Sequence, residues 1–211
     1  MITVLTYNNT IPTFYMTTDH VLFPVQLNAQ WQPITSVKLS ATMLEWLLHS
    51  ESLTAKLKSH CDNFRVEVLG QKVQLCQPSD ACAGIREGEE VLVREVLLFL
   101  DNVPHVFARS LLPLTSLTGE QQQLAHLGEQ PLGQVIFNNT KLQRKNIELA
   151  SFDQQSTVVH LLKNINQPEI SQYSDVLWGR RSLFVIDGKP IQVAEVFLPA
   201  ALMYQPIIKL D

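Results

Sequence analysis

No run of apolar residues in this 211-residue sequence approaches the roughly 18–20 that a membrane helix requires, so no membrane insertion is expected. Basic runs are missing too. Lys and Arg number 16 against 20 Asp and Glu, a formal net charge of −4, which argues against a general nucleic-acid binder. Cysteine is scarce. Cys61, Cys76 and Cys82 are odd in number and show no CxxC spacing, so free thiols in a reducing compartment fit better than structural zinc or a disulfide framework. GxGxxG, GxxxxGK[ST] and HExxH are absent, which removes the common nucleotide and zinc-protease motifs. The six histidines are scattered without ligand spacing, and no Ser/His/Asp or Cys/His constellation stands out. The opening residues, MITVLTYNNTIPTFYMTTDH, carry neither a basic n-region nor an apolar h-region. A signal peptide is therefore not expected, and the cytoplasm is the expected location.

What is present points to a folded domain. The chain is 45% hydrophobic and 17% charged, enough to bury a sizeable core. Trp178 to Pro199 reads as two strands joined at Asp187-Gly188, a pair that tolerates the positive φ of a type I′ turn. Ser40 and Ser52 can cap two short helices, through Leu48 and over Leu53–Lys58. Phe64 to Cys76 alternates and suggests a hairpin turning at Gly70-Gln71. Glu89 to Leu100 is apolar on both faces and predicts a central strand; the chain then returns through Val106 to Leu112. Thr118 and Gln121 have capping-box spacing, Gly128 stops that helix, and Pro131 can open another over Leu132 to Phe137. Lys141 to Leu149 can be a strand. Residues 1–36 read as an irregular or partly extended lead-in, 151–175 as an insertion and 205–211 as a tail. Hairpins with short helices gathered between them predict an α+β fold.

Two charges lie in apolar strands. Arg94 sits among Leu92, Val96 and Leu98; Glu195 sits among Ile191, Val193 and Phe197. A buried guanidinium stays charged and its planar fork suits a carboxylate, while an unpaired buried carboxylate is costly. Either the two form a structural ion pair, with Glu95 as another acid open to Arg94, or they mark a ligand site. In the second case Arg94 takes a substrate carboxylate and Glu195 a hydroxyl or a transferable proton.

Many short motifs occur in one order: Trp46-Leu47-Leu48, Ser52-Leu53-Thr54, Arg94-Glu95-Val96-Leu97-Leu98, Ala108-Arg109-Ser110, Pro131-Leu132-Gly133, Arg144 with Ile147-Glu148, Trp178-Gly179-Arg180-Arg181-Ser182, Gly188-Lys189-Pro190 and Glu195-Val196-Phe197-Leu198-Pro199. Over residues 40–204 the chain resembles the chorismate lyases. That resemblance implies a single antiparallel sheet of about six strands, helices packed to one side, and two helix-turn-helix flaps, residues 40–58 and 118–137, over an internal pocket. The resembling domain spans 37–204. The resemblance also implies cofactor-independent conversion of chorismate to 4-hydroxybenzoate and pyruvate, the first committed step of ubiquinone synthesis, by a monomer. Arg94 would hold the ring carboxylate and Glu195 the 4-hydroxyl end. Leu132 and Leu53 would close over the ring; Leu53 stands where the family often has Met, a change that keeps volume and apolarity. Arg180, Arg181 and Lys189 are candidates for the second substrate carboxylate. The competing reading is a non-catalytic aromatic-carboxylate sensor of the same fold, like the effector domains of some transcription regulators. Such a sensor would normally be joined to a basic winged helix, and residues 1–36 show no such pattern.

Overall fold

The computed structural model describes residues 2–7, 11–16, 23–164 and 176–205. An antiparallel sheet forms its frame. The strands are β1 (Ile2–Tyr7), β2 (Ile11–Met16), β3 (Gln32–Pro33), β4 (Phe64–Leu75), β5 (Glu90–Leu100), β6 (Val103–Pro113), β7 (Gln143–Phe152), β8 (Leu177–Ile186) and β9 (Lys189–Phe197). Their spatial order is β1-β2-β4-β5-β6-β9-β8-β7-β3. The six strands from β4 to β7 in that order are the long ones and match the expected count. The two-residue β3 extends one edge and the β1–β2 hairpin the other. The Asp187-Gly188 turn has the predicted positive φ at both residues, and Asp101-Asn102 between β5 and β6 has it too.

Each face of the sheet is covered. On one face, Val96, Leu98, Leu100, Val106, Ala108 and Phe197 pack under α1 (Ala41–Leu47) and α2 (Leu53–Lys58). Further along that face, Leu92, Leu112, Phe184 and Val193 pack under α3 (Leu132–Phe137) and the 3-10 helix Gly119–His126. On the opposite face, Leu97, Phe99, Phe107, Ala194 and Val196 pack against Val25, Leu27 and α4 (Thr157–Asn164). α4 supplies an apolar stripe, Val158, Val159, Leu161 and Leu162, all buried. Helices therefore occupy both faces rather than one, and the 151–175 segment contributes structure through α4. Residues 165–175 lie outside the described residues.

The caps read from sequence are made: Ser40 Oγ accepts from the Met43 amide at 3.2 Å and Ser52 Oγ from Ala55 at 3.3 Å. Two expectations are corrected. Gly70-Gln71 is no turn, because β4 runs straight through it with a bulge between Val68 and Gly70. The glycine is needed for approach: the Phe23 ring lies 2.6 Å from where a Cβ would stand. Gln71 is buried and donates to the Pro12 and Ala125 carbonyls. Thr118 makes no cap; its carbonyl and the Gln121 side chain accept instead from Lys189 Nζ, at 2.7 and 2.9 Å, and the segment coils as a 3-10 helix. Residues 1–36, read as an irregular or partly extended lead-in, include the β1–β2 hairpin, β3 and the buried Val25 and Leu27.

Candidate active site

Pairing register builds the site floor. Arg94 pairs with Ser110 and Val96 with Ala108 across β5 and β6. Ser110 pairs with Val193 and Ala108 with Glu195 across β6 and β9, and Glu195 with Arg180 across β9 and β8. Cross-strand partners project to the same face, so Arg94, Glu195 and Arg180 face the flap helices together. Strand β6 lies between Arg94 and Glu195, which separates their strands by two spacings, on the order of 10 Å. Between Arg94 and Glu195 on that face, β6 carries Ala108 and Ser110. These two small side chains leave space above the floor.

That space is a cavity with about 520 Å³ of empty volume counted out to its mouth. Leu98 and Val96 line its floor with the residues above, and Phe184 one wall. Leu53 and Thr54 of α2 and Pro131, Leu132, Gly133, Ile136 and Phe137 at α3 form the roof. The two roof segments are the predicted flaps, and they meet. A Cβ on Gly133 would stand 3.1 Å from Thr54 Oγ1, and Lys58 Nζ donates to Gln134 Oε1 at 3.0 Å. Leu53 and Leu132, within these segments, are buried and line the cavity.

The cavity is charged. Arg94, Arg144 and Arg180 line it with one carboxylate, Glu195. Arg94 is 2% exposed and has no acid partner among the described residues. Its Nη2 donates to the Gly128 and Gln130 carbonyls at 2.6 and 3.3 Å, while its buried Nε lacks an acceptor. Burial pushes its guanidinium down to about 10, which leaves it charged near neutrality. A buried cation balanced only by carbonyls has the chemistry to receive an anion. Glu195 is held differently: Arg180 Nε donates to its Oε2 at 2.5 Å. Arg180 Nη1 donates to the carbonyls of Trp46, Leu47 and His49 where α1 ends, at 3.4, 3.1 and 2.9 Å.

The ion pair weighed from sequence is thus replaced by two separate arrangements. Glu195 pairs with Arg180, not Arg94. Glu95 points to the opposite face, where it pairs with Arg109, which also binds Asp80 at 2.7 Å. Of the candidates for a second carboxylate, Arg180 lines the cavity but already serves Glu195. Arg181 lies on the other face, bonded to Glu148 at 2.9 Å, and Lys189 is spent on Thr118 and Gln121; neither lines the cavity. Successive strand residues alternate faces, so Arg180 and Arg181 could not both enter. Arg144 lines the cavity although no apolar row singled it out. A register shift between Arg144 and Asn146 breaks the alternation of β7 and hides its orientation in the sequence.

The comparisons with known proteins agree with this geometry. The family model described as chorismate lyase matches residues 25–208. A probable chorismate pyruvate-lyase of Psychromonas ingrahamii is 40% identical over 190 residues, 89% of this chain and 100% of that protein. One from Pseudoalteromonas translucida is 41% identical over 186 residues, 87% and 99% of the two chains. Among solved structures, the effector domain of PhnF from Mycobacterium smegmatis is 17% identical, covers 80% of this chain and 92% of its own, and superposes with a TM-score of 0.46. A GntR-family regulator from Bacillus cereus gives 14%, 69%, 98% and 0.47 in the same order. Likeness at that level carries no functional argument. The match over most of the chain, on a sheet that sets Arg94 and Glu195 at two ends of a roofed cavity, makes this chain a member of the chorismate lyase family.

Proposed function

We propose that this protein converts chorismate to 4-hydroxybenzoate and pyruvate, the first committed step of ubiquinone synthesis, acting in the cytoplasm as a monomer. The observation that carries the reading is the unmatched guanidinium of Arg94 at one end of the cavity, with Glu195 fixed by Arg180 at the other. Chorismate carries a carboxylate on ring C1 and a hydroxyl on C4, opposite each other across the ring. Arg94 receives the carboxylate, and the Glu195 carboxylate faces the C4 substituents. The enolpyruvyl ether on C3 then lies beside C4, toward the Glu195 end.

In the reaction the C4–H proton departs and its electron pair forms the C3–C4 double bond. The C3–O bond breaks, and its pair leaves with enolpyruvate, which takes up one proton at its methylene carbon to become pyruvate. Atoms and charge balance without an oxidant or reductant. Aromatisation supplies the driving force, so holding the ether in a reactive geometry and excluding water are the tasks left to the protein. Leu53 and Leu132 serve the second task by roofing the ring. Glu195, near the proton that departs, orients the hydroxyl and is placed to assist proton movement as a general acid or base.

The experiment mixes protein treated with chelator with chorismate and follows 4-hydroxybenzoate absorbance and pyruvate together. Equal release of both products is expected. Binding of 4-hydroxybenzoate with no pyruvate released overturns the lyase reading in favour of a sensor.

A further inference from the structure

The substrate is a dianion, yet Arg94 accounts for only one of its carboxylates. Of the three guanidiniums in the cavity, Arg180 is committed to Glu195, and two have no acid partner among the described residues: Arg94 and Arg144. Arg144 Nη1 donates to the His49 carbonyl at 2.8 Å, the same carbonyl that accepts from Arg180 Nη1. Its Nε is buried without an acceptor. Its guanidinium lies over the Phe184 ring, 4.9 Å from the centroid, and is held by that face and the His49 carbonyl. The shared His49 carbonyl sets Arg144 beside Arg180, the partner of Glu195, and so at the Glu195 end of the cavity; burial, with Arg180 nearby, pushes its guanidinium down to about 10.

We propose that Arg144 binds the enolpyruvyl carboxylate and so determines specificity for the ether-bearing substrate over the product. The inference rests on the lyase reading. The ether is on C3, next to the C4 hydroxyl, so its carboxylate lies toward Glu195 and away from Arg94. Arg144 is the cation there that no carboxylate has claimed. Two acid-free guanidiniums then match two substrate carboxylates, one at each end. After cleavage the second carboxylate leaves with pyruvate, and Arg144 no longer holds the aromatic product.

The test compares two ligands and two variants. 4-Hydroxybenzoate has the ring carboxylate alone; 3-(carboxymethoxy)-4-hydroxybenzoate adds a carboxylate on an ether at the chorismate position and is not cleaved. In Arg144→Gln, affinity for the dicarboxylate is expected to fall about 10- to 100-fold, as for loss of one charge-assisted pair, with affinity for 4-hydroxybenzoate changed by less than about twofold. The KM for chorismate should rise by a similar factor. Arg144→Lys, which keeps the charge but not the fork, should fall between. It carries the test if Arg144→Gln no longer binds 4-hydroxybenzoate through loss of folding. Equal losses on both ligands, or none on either, overturn the proposal and leave Arg144 a packing residue over Phe184. Pyruvate release by the unmodified protein tests the lyase reading separately, because the binding comparison needs no turnover.

Discussion

Arg94 and Glu195 were both visible in the sequence because each interrupts an apolar row of a strand. Their partners were not. Which acid a buried arginine meets depends on strand order, and β9 lies between β6 and β8 rather than beside β5. The structure pairs Glu195 with Arg180 and leaves Arg94 to carbonyls, which turns two ambiguous charges into two ends of a site. Replacing Glu195 with Gln keeps a hydrogen-bonding side chain at the C4 end. Single-turnover measurements should show the chemical step slowed by roughly 10²-fold or more, with 4-hydroxybenzoate still bound. Ala108 gives a converse test. Its small side chain is the space above the floor, so Ala108→Leu should abolish 4-hydroxybenzoate binding in calorimetry. Thermal melting should stay level or rise, since the new side chain fills a cavity rather than displacing a packed one.

Elements carry a second layer of design. The caps of α1 and α2 and the full span of α2 were legible, since Ser40 and Ser52 accept from the third amide onward and the apolar spacing is local; α1 ends one residue earlier than read, at Leu47. The 3-10 segment Gly119–His126 was not, because Lys189 on β9 takes the Gln121 side-chain oxygen that a capping box would turn back onto the Thr118 amide. The turn assigned to Gly70 failed for a similar reason: the demand for a glycine came from Phe23, distant in sequence. Gly179 shows the same principle at the site. A Cβ there would stand 2.9 Å from the Glu195 carbonyl oxygen and 3.0 Å from Phe152. Substituting Ala must push β8 and β9 apart next to Glu195. Gly179→Ala should lower the melting temperature and reduce kcat together, and a purely local effect on either alone would contradict this account.

Across the whole molecule, the two faces of the sheet divide the work. One face holds the ligand cavity; the other holds a buried acid–base cluster directly behind it. There Glu95 pairs with Arg109 and accepts from the Val25 amide at 2.8 Å, while Arg109 binds Asp80 and Gln192 donates to the Asp80 carbonyl at 2.7 Å. The cluster fastens the 77–87 loop and the Val25 segment to the strand that carries Arg94. Burial pushes the Glu95 carboxyl up from 4.5 to about 7, against the opposing pull of Arg109. A carboxyl raised on folding binds more protons in the folded state, so its contribution to stability is full below about 4.5 and is lost as pH rises through about 7. Denaturation measured across that window should show a fall with pH in the unmodified protein that is reduced in Glu95→Gln.

The carbonyls that the site arginines hold have a consequence for the order in which things leave. Arg94 grips the second roof segment through Gly128 and Gln130, whereas Arg144 and Arg180 both grip the end of the first through His49. Each end of the ligand is therefore wired to a different door. In the proposed binding mode, the product still occupies Arg94 once pyruvate has departed, while the ligand carboxylate at Arg144 has gone. The first door, around residues 46–58, should open ahead of the second. Hydrogen exchange should show that segment less protected in the 4-hydroxybenzoate complex than in the complex with the ether dicarboxylate, with residues 128–137 protected alike in both.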